Sequence, residues 1–208
     1  MPEVLLTVGI HGVTRMSDNN FHDDLEYSKS AGLSEFIDNA YRRAFPHVEE
    51  IKVVEDIGLQ LLGIDKILVT ENGKEIYVDE KIRRKHYGDI ALEEYSDYDR
   101  KVKGWLSREK YTDYIAYIIP CAKLIYFLPF LILQKVYVRH YKQLLALYGR
   151  KPSYNQGYTT TFIAVPTSKL LDLIRQEMHF SIPDLQNEIA MVVRETQLEF
   201  IYKLSGRR

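Results

Sequence analysis

Four residues in one short stretch of the chain have the types and spacing needed to bind a divalent cation beside a phosphate group. Asp65, Asp79 and Glu93 each lie in a run of β-branched and aliphatic residues, and Lys81 follows Asp79 by two positions. Residues two apart in a strand point to the same face, so Asp79 and Lys81 are predicted to stand together. The stretch therefore predicts a carboxylate cluster with a lysine beside it.

The charge of such a cluster determines its chemistry. Neighbouring carboxylates repel one another unless a hard cation lies between them. Oxygen ligands favour magnesium, manganese or calcium over zinc. Such a cation lowers the pKa of a bound water and binds the phosphate for in-line attack. A lysine ammonium group beside it can orient the attacking water or stabilise the charge that develops on the phosphate oxygens.

Three predicted strands position these residues. The patterns indicate strands at 64–69, 75–82 and 89–96, with a turn at 71–73. The alternation of faces places Glu80 away from Asp79. In the third strand, the same alternation lets Glu93 join the cluster and directs Glu94 to the opposite face.

The register of the first hairpin decides whether Asp65 can reach Asp79. A two-residue loop would set Asp65 opposite Glu80, on the wrong face. A three-residue loop, with Gly73 in the left-handed conformation, sets Asp65 opposite Asp79. Paired positions on adjacent strands bring Cβ atoms to about 5 Å, close enough for two carboxylates to share a cation. We expect the three-residue loop.

A solvated edge hairpin with surface charges would explain the same residues. The sequence contains other acidic-x-Lys triplets, at 50–52 and 99–101. Only the triplet at 79–81 follows an apolar strand-like run and a hairpin whose other arm carries an aspartate. The pattern alone leaves the catalytic and the structural interpretations open.

Three segments resemble the PD-(D/E)-x-K nuclease superfamily, which has the restriction-endonuclease-like fold. They are Gly63-Ile64-Asp65, the run IYVDEK at 76–81, and Ala91-Leu92-Glu93. The resemblance covers roughly residues 33–119 and is greatest to phage and bacterial members. The proline that often precedes the first aspartate is replaced here by Ile64, at a position that varies freely in the superfamily.

This resemblance implies a metal-dependent phosphodiesterase, specifically a DNA endonuclease. Its catalytic residues would be Asp65, Asp79, Lys81 and Glu93, and the three carboxylates would bind magnesium or manganese. Glu35 is the candidate for the additional glutamate that many members supply from the preceding helix. Because the superfamily contains members that have lost activity, the alternative is a catalytically inactive module that binds nucleic acid or a protein partner.

The predicted fold class is α/β, with a restriction-endonuclease-like mixed central sheet flanked by helices. We expect a single nuclease-like domain over 1–208, with a core at about 33–150 and a C-terminal strand–helix extension at 151–208. Further elements are predicted at these positions: a strand or arm at 4–10, an irregular stretch at 14–29, a helix at 34–45, a short strand within 48–62, a loop at 97–110, strands at 111–119 and 123–128, a helix at 130–147, a turn-rich linker at 151–157, a strand at 158–165, and helices at 167–177 and 182–204.

Composition narrows the possible partners. The net charge is −1, which argues against wide, non-specific DNA binding, so contacts to nucleic acid would depend on local basic groups such as Arg83, Arg84 and Lys85.

The one cysteine fits a reducing compartment, and the first residues lack the basic region of a secretory signal, so we expect a cytoplasmic protein. A homodimer is a further expectation, since nucleases that cut two strands are often dimers.

One apolar segment has the length of a membrane span. Residues 115–133 are almost wholly apolar, but Lys123 lies in the middle, and Pro120 and Pro129 interrupt the run. Two buried strands and the start of a helix explain the segment better. We therefore expect no membrane insertion, and the alternative interpretation is a membrane-associated protein that uses this segment.

Overall fold

The structure, a computed structural model, describes residues 31–184, with side chains over 33–178. The stretches predicted at 4–10 and 14–29, and nearly all of the helix predicted at 182–204, lie outside the described residues. Within this part of the chain there are four α-helices and one 3-10 turn at Pro120–Ala122. The helices are α1 (Ala31–Ala44), α2 (Ile57–Leu61), α3 (Phe130–Tyr148) and α4 (Thr167–Asp184).

Residues 31–184 contain nine strands, which form two sheets. They are β1 (Val48–Val53), β2 (Lys66–Thr70), β3 (Glu75–Ile82), β4 (Asp89–Asp97), β5 (Val102–Lys103), β6 (Tyr114–Ile119), β7 (Leu124–Pro129), β8 (Lys151–Asn155) and β9 (Tyr158–Pro166). The first sheet has the order β1-β2-β3-β6-β7, and the second has the order β5-β4-β9-β8. The neighbours β3 and β6 are parallel, and all other neighbours in the two sheets are antiparallel.

The α/β class is confirmed, but the strands do not form the single central sheet that was predicted. The third predicted strand, β4, belongs to the second sheet and pairs with β9 rather than with β3. The free edge of β3 is instead taken by β6, which the chain reaches after the loop. Strand patterns identify strands but leave their partners open, because pairing depends on contacts remote in sequence.

The first sheet has α1 on one face and the second sheet on the other. Apolar residues of α1, such as Ile37 and Tyr41, cluster with Val78 and Ile118 on one side. On the other side, Ile115 belongs to a second cluster with residues of β4, β9, α3 and α4. Every residue of β6 is buried, as expected for a strand covered on two faces. This layering creates an interior between the two sheets.

The C-terminal segment contributes directly to that interior. The chain predicted to be an extension from 151 onwards begins with β8, where a turn-rich linker was expected, so that expectation was wrong. Strand β8 contains Pro152, which is tolerated because β8 is an edge strand. The following strand, β9, pairs along β4 and buries Ile163 and Val165 in the core.

The apolar segment at 115–133 forms β6, the 3-10 turn, β7 and the start of α3, as predicted. No helix among residues 31–184 is long and apolar enough to cross a membrane.

Candidate functional site

The β2–β3 hairpin has the predicted register. Lys66 pairs with Val78 and Ile67 with Tyr77, which is the register that a three-residue loop predicts, and the regular pairing ends at Lys66. The loop has three residues and ends with Gly73 at φ +75°, in the left-handed region. Asp65 itself lies directly before β2, where its backbone N–H donates to the Val78 carbonyl at 2.9 Å.

The two faces of β3 carry different groups, as the alternation predicted. Asp79 and Lys81 pair with β6 at Ile115 and Tyr117, whose side chains face the second sheet. Glu80 lies on the opposite face, where its carboxylate accepts a hydrogen bond of 2.7 Å from the hydroxyl of Tyr41 in α1. The candidate site is therefore in the interior between the two sheets.

Asp79 is the centre of the site. It is only 1% exposed. Its Oδ1 accepts a hydrogen bond from the ammonium group of Lys81, and its Oδ2 accepts one from Lys110. Burial acts to raise the pKa of Asp79, but the two ammonium groups outweigh it, and the pKa is lowered. Asp79 is thus held as an anion with a cation on each oxygen.

Lys110 is a site residue that sequence reasoning missed. It lies in a polar loop predicted to be irregular, 31 positions after Asp79, and nothing in its neighbours distinguishes it. The side chain of Lys110 is 7% exposed and packs directly over the Cα of Gly63. A Cβ added at Gly63 would lie 2.8 Å from Lys110 Cδ. Gly63, at φ +81°, therefore supplies the space through which Lys110 reaches Asp79.

Asp65 stands beside Asp79. Its Oδ2 accepts a hydrogen bond of 2.7 Å from the backbone N–H of Glu80, which fixes the carboxylate against β3. Burial raises the pKa of Asp65. The charge of Lys81 opposes this rise, and the charge of Asp79 adds to it. The two aspartates therefore lie close together, in environments that move their pKa values in opposite directions.

Glu93 enters from the second sheet. Its Oε1 accepts a hydrogen bond of 3.1 Å from the backbone N–H of Trp105. Gly104 packs so closely that an added Cβ would lie 2.6 Å from the Glu93 carbonyl carbon. Burial raises the pKa of Glu93; the Trp105 hydrogen bond and the charges of Lys81, Arg108 and Lys110 oppose the rise without cancelling it. Glu93 thus lies near the two lysines but is held by the loop backbone.

Two of the three predicted carboxylates are placed to bind a hard cation. Among the described residues, no three His, Cys, Asp or Glu side chains are close enough to hold a metal ion together, so the predicted set of Asp65, Asp79 and Glu93 is not assembled. Asp65 and Asp79 remain as a pair of oxygen donors. Magnesium takes one or two carboxylates and completes its shell with water and phosphate oxygens. The pair therefore fits magnesium or manganese completed by a phosphate.

The remaining predicted residues lie outside this cluster. Glu35 is exposed on α1. One turn later on the same helix, Asp38 lies 3.9 Å from the ammonium nitrogen of Lys66. Arg83 is bound within the protein, because its guanidinium donates to the carboxylate of Asp89 and to the Tyr117 hydroxyl at 3.3 Å.

The two basic residues after Arg83 are on the surface. Arg84 and Lys85 are exposed in the turn between β3 and β4. Their exposure makes them accessible to a nucleic acid. Their role in binding stays a prediction.

Glu94 faces away from the cluster, as predicted. Its carboxylate accepts hydrogen bonds from Arg150 at 2.5 Å and 2.7 Å and from the Tyr141 hydroxyl. It lines a shallow groove of about 340 Å³ on the other side of β4, together with side chains of α3 and the loop after β5. Because Arg150 and Tyr141 already engage this carboxylate, its arrangement is that of a structural ion pair.

Comparison with known proteins adds no relative. No protein-family model, curated protein or solved structure matches the chain.

Proposed function

We propose that the chain is a magnesium- or manganese-dependent phosphodiesterase that hydrolyses phosphodiester bonds in nucleic acid, with DNA as the substrate. The observation that carries the proposal is the position of the Asp65 carboxylate, which accepts a hydrogen bond from the backbone N–H of Glu80, directly after the buried Asp79. The Asp79 carboxylate in turn accepts a hydrogen bond from Lys81. The resemblance of this segment to the PD-(D/E)-x-K superfamily supports the same function, and would make the fold a variant of the restriction-endonuclease-like type.

Each residue has a defined task in this proposal. Asp65 and Asp79 would hold the divalent cation, which supplies charge neutralisation for the phosphate and activation of water. Lys81 stands beside Asp79 with 29% of its side chain exposed, so its ammonium group can contact a phosphate oxygen or orient the attacking water. Glu93, with its raised pKa, is placed to exchange a proton near the lysines.

A cleavage assay on duplex DNA with magnesium tests the proposal. Asp65→Asn is the better variant than Asp79→Ala, because removing the Asp79 carboxylate would leave Lys110 buried without its partner. Asparagine keeps an oxygen that can accept the Glu80 hydrogen bond, so the fold is expected to persist. We expect Asp65→Asn and Lys81→Met to lower the cleavage rate by about 100-fold or more.

The controls are an exposed aspartate and an exposed lysine. Asp99→Asn and Lys74→Met change the same functional groups outside the site and should leave cleavage unchanged. Cleavage that survives in Asp65→Asn and in Lys81→Met would refute the catalytic assignment. A loss of cleavage supports the assignment if the two variants have the same midpoint of denaturant unfolding as the wild type.

A specific observation favours a second function, an inactive module that binds nucleic acid or a protein partner. Each oxygen of Asp79 accepts a hydrogen bond from a lysine, as in a structural ion-pair cluster. The module would bind DNA without cutting it, and Asp65→Asn would not change its affinity. Calorimetric titration of manganese in the presence of DNA separates the two functions, since only the enzyme requires the metal.

A further inference from the structure

We propose that Lys110 is an exchangeable counter-ion of the site. It neutralises Asp79 when the site is empty of substrate, and it transfers to a phosphate oxygen when a divalent cation takes its place on Asp79. The inference rests on the proposed function. Its consequence is that metal and nucleic acid bind cooperatively, each favouring the other.

The first argument is the position of the ammonium group. Lys110 donates to Asp79 Oδ2, and the charge of Asp65 acts on it as well. It therefore occupies an oxygen of Asp79 that a divalent cation at this carboxylate would need. A divalent cation at Asp79 would be repelled by an ammonium group that stayed in contact with the same carboxylate.

The second argument is space. The stem of Lys110 fills the gap over Gly63, and its side chain is 7% exposed, against 29% for Lys81. Magnesium retains several waters and needs room for them. Withdrawal of Lys110 would open the enclosed part of the site, whereas Lys81 already reaches solvent. Lys110 is therefore the lysine that has to move.

The third argument is that only the side chain needs to move. The backbone after Lys110 is fixed, because the Tyr111 N–H donates to the Leu62 carbonyl at 2.9 Å and the Thr112 hydroxyl donates to the Tyr77 carbonyl at 3.0 Å. A lysine has a flexible four-carbon stem that can swing its charge about a fixed backbone. The anionic oxygens of a phosphodiester give the displaced ammonium group a new partner at the same site.

Calorimetric titration of manganese into the full chain, with and without a short phosphorothioate DNA duplex, tests the coupling. For the wild type, we expect the duplex to tighten manganese binding by about tenfold or more. Lys110→Met removes the competing cation, so we expect it to bind manganese alone about tenfold more tightly than the wild type and to lose most of the enhancement by the duplex.

Two further variants keep the result interpretable. Lys110→Gln is neutral but can still donate a hydrogen bond to Asp79, so it should reproduce the effect of Lys110→Met if the methionine variant folds poorly. Lys74→Met, at an exposed lysine, should behave like the wild type. Equal manganese affinity and equal coupling in the wild type and the Lys110 variants would overturn this inference alone. No manganese binding by any of the proteins, with or without DNA, would overturn the proposed function and the inference together.

Discussion

Replacement of Gly63 by alanine tests whether this glycine exists to admit Lys110. Gly63 and Gly73 have similar left-handed backbones, at φ +81° and φ +75°. An alanine in this region costs about 1–2 kcal/mol of stability. At Gly73 the added Cβ meets nothing within 4 Å, whereas at Gly63 it would lie 2.8 Å from Lys110 Cδ and 3.1 Å from Cγ. Gly73→Ala is therefore a matched control for the backbone effect.

The expected difference follows from the contact that is lost. Lys110 cannot keep its ammonium group on Asp79 if its Cγ and Cδ are displaced, and a hydrogen bond to a charged group is worth about 1.5–3 kcal/mol. We expect the free energy of unfolding to fall by about 1–2 kcal/mol in Gly73→Ala and by about 2.5–5 kcal/mol in Gly63→Ala. Urea unfolding followed by the fluorescence of Trp105, the one tryptophan, measures both.

A double-mutant cycle identifies the cause of the excess. In a Lys110→Ala background the obstacle is gone, so Gly63→Ala should destabilise the protein no more than Gly73→Ala, to within about 0.5 kcal/mol. Equal losses for the two glycine variants in the wild-type background would refute the reasoning. An excess that persists after Lys110 is removed would also refute it, since the strain would then lie elsewhere.

Two further predictions concern carboxylates outside the site. Arg150→Met leaves Glu94 without its guanidinium partner, so the free energy of unfolding measured in urea should fall by about 1–3 kcal/mol. Arg175→Met breaks an exposed ion pair and should lower it by less than about 0.5 kcal/mol. Similar losses in the two variants would contradict a structural role for the Glu94 pair. Burial raises the pKa of Glu80 in the folded protein above about 4.3, which is its value in the unfolded chain. The wild type therefore loses stability as the pH rises from the unfolded-state pKa to the folded-state pKa of this carboxyl. Glu80→Gln should therefore gain stability over the wild type with rising pH and then level off above the raised pKa, at about 1.4 kcal/mol per unit of pKa difference. A difference in stability that does not change with pH would show that this interpretation is wrong.

The local part of the site was predictable from the sequence. Turn chemistry at Gly73 set the hairpin register, and alternation along β3 separated Asp79 and Lys81 from Glu80. These features depend on residues that are neighbours in the chain, for which the period of a strand and the preference of glycine for positive φ are sufficient. The same rule correctly directed Glu94 away from the cluster.

The non-local part was not predictable. Lys110 reaches Asp79 only because β6 takes the edge of β3 and so draws the preceding loop across Gly63. Likewise, Glu93 approaches from a second sheet whose assembly depends on β9, far along the chain. No periodicity encodes these pairings, because they are decided by which apolar surfaces cover one another once several elements have formed.

The carboxylates of the candidate site are neutralised differently from the one in the Glu94 ion pair. A structural cluster would be expected to pair each buried carboxylate with a cation, as Glu94 is paired with Arg150. In the candidate site, Asp79 has two lysines, while Asp65 and Glu93 accept hydrogen bonds from backbone N–H groups and have raised pKa values. Burying these two groups lowers stability at neutral pH, and neighbouring carboxyls with opposite pKa shifts are typical of sites that bind or transform a ligand. Under the proposed function, a cation and a phosphate enter this site together, and two lysines at Asp79 beside carboxyls with raised pKa values are consistent with that proposal.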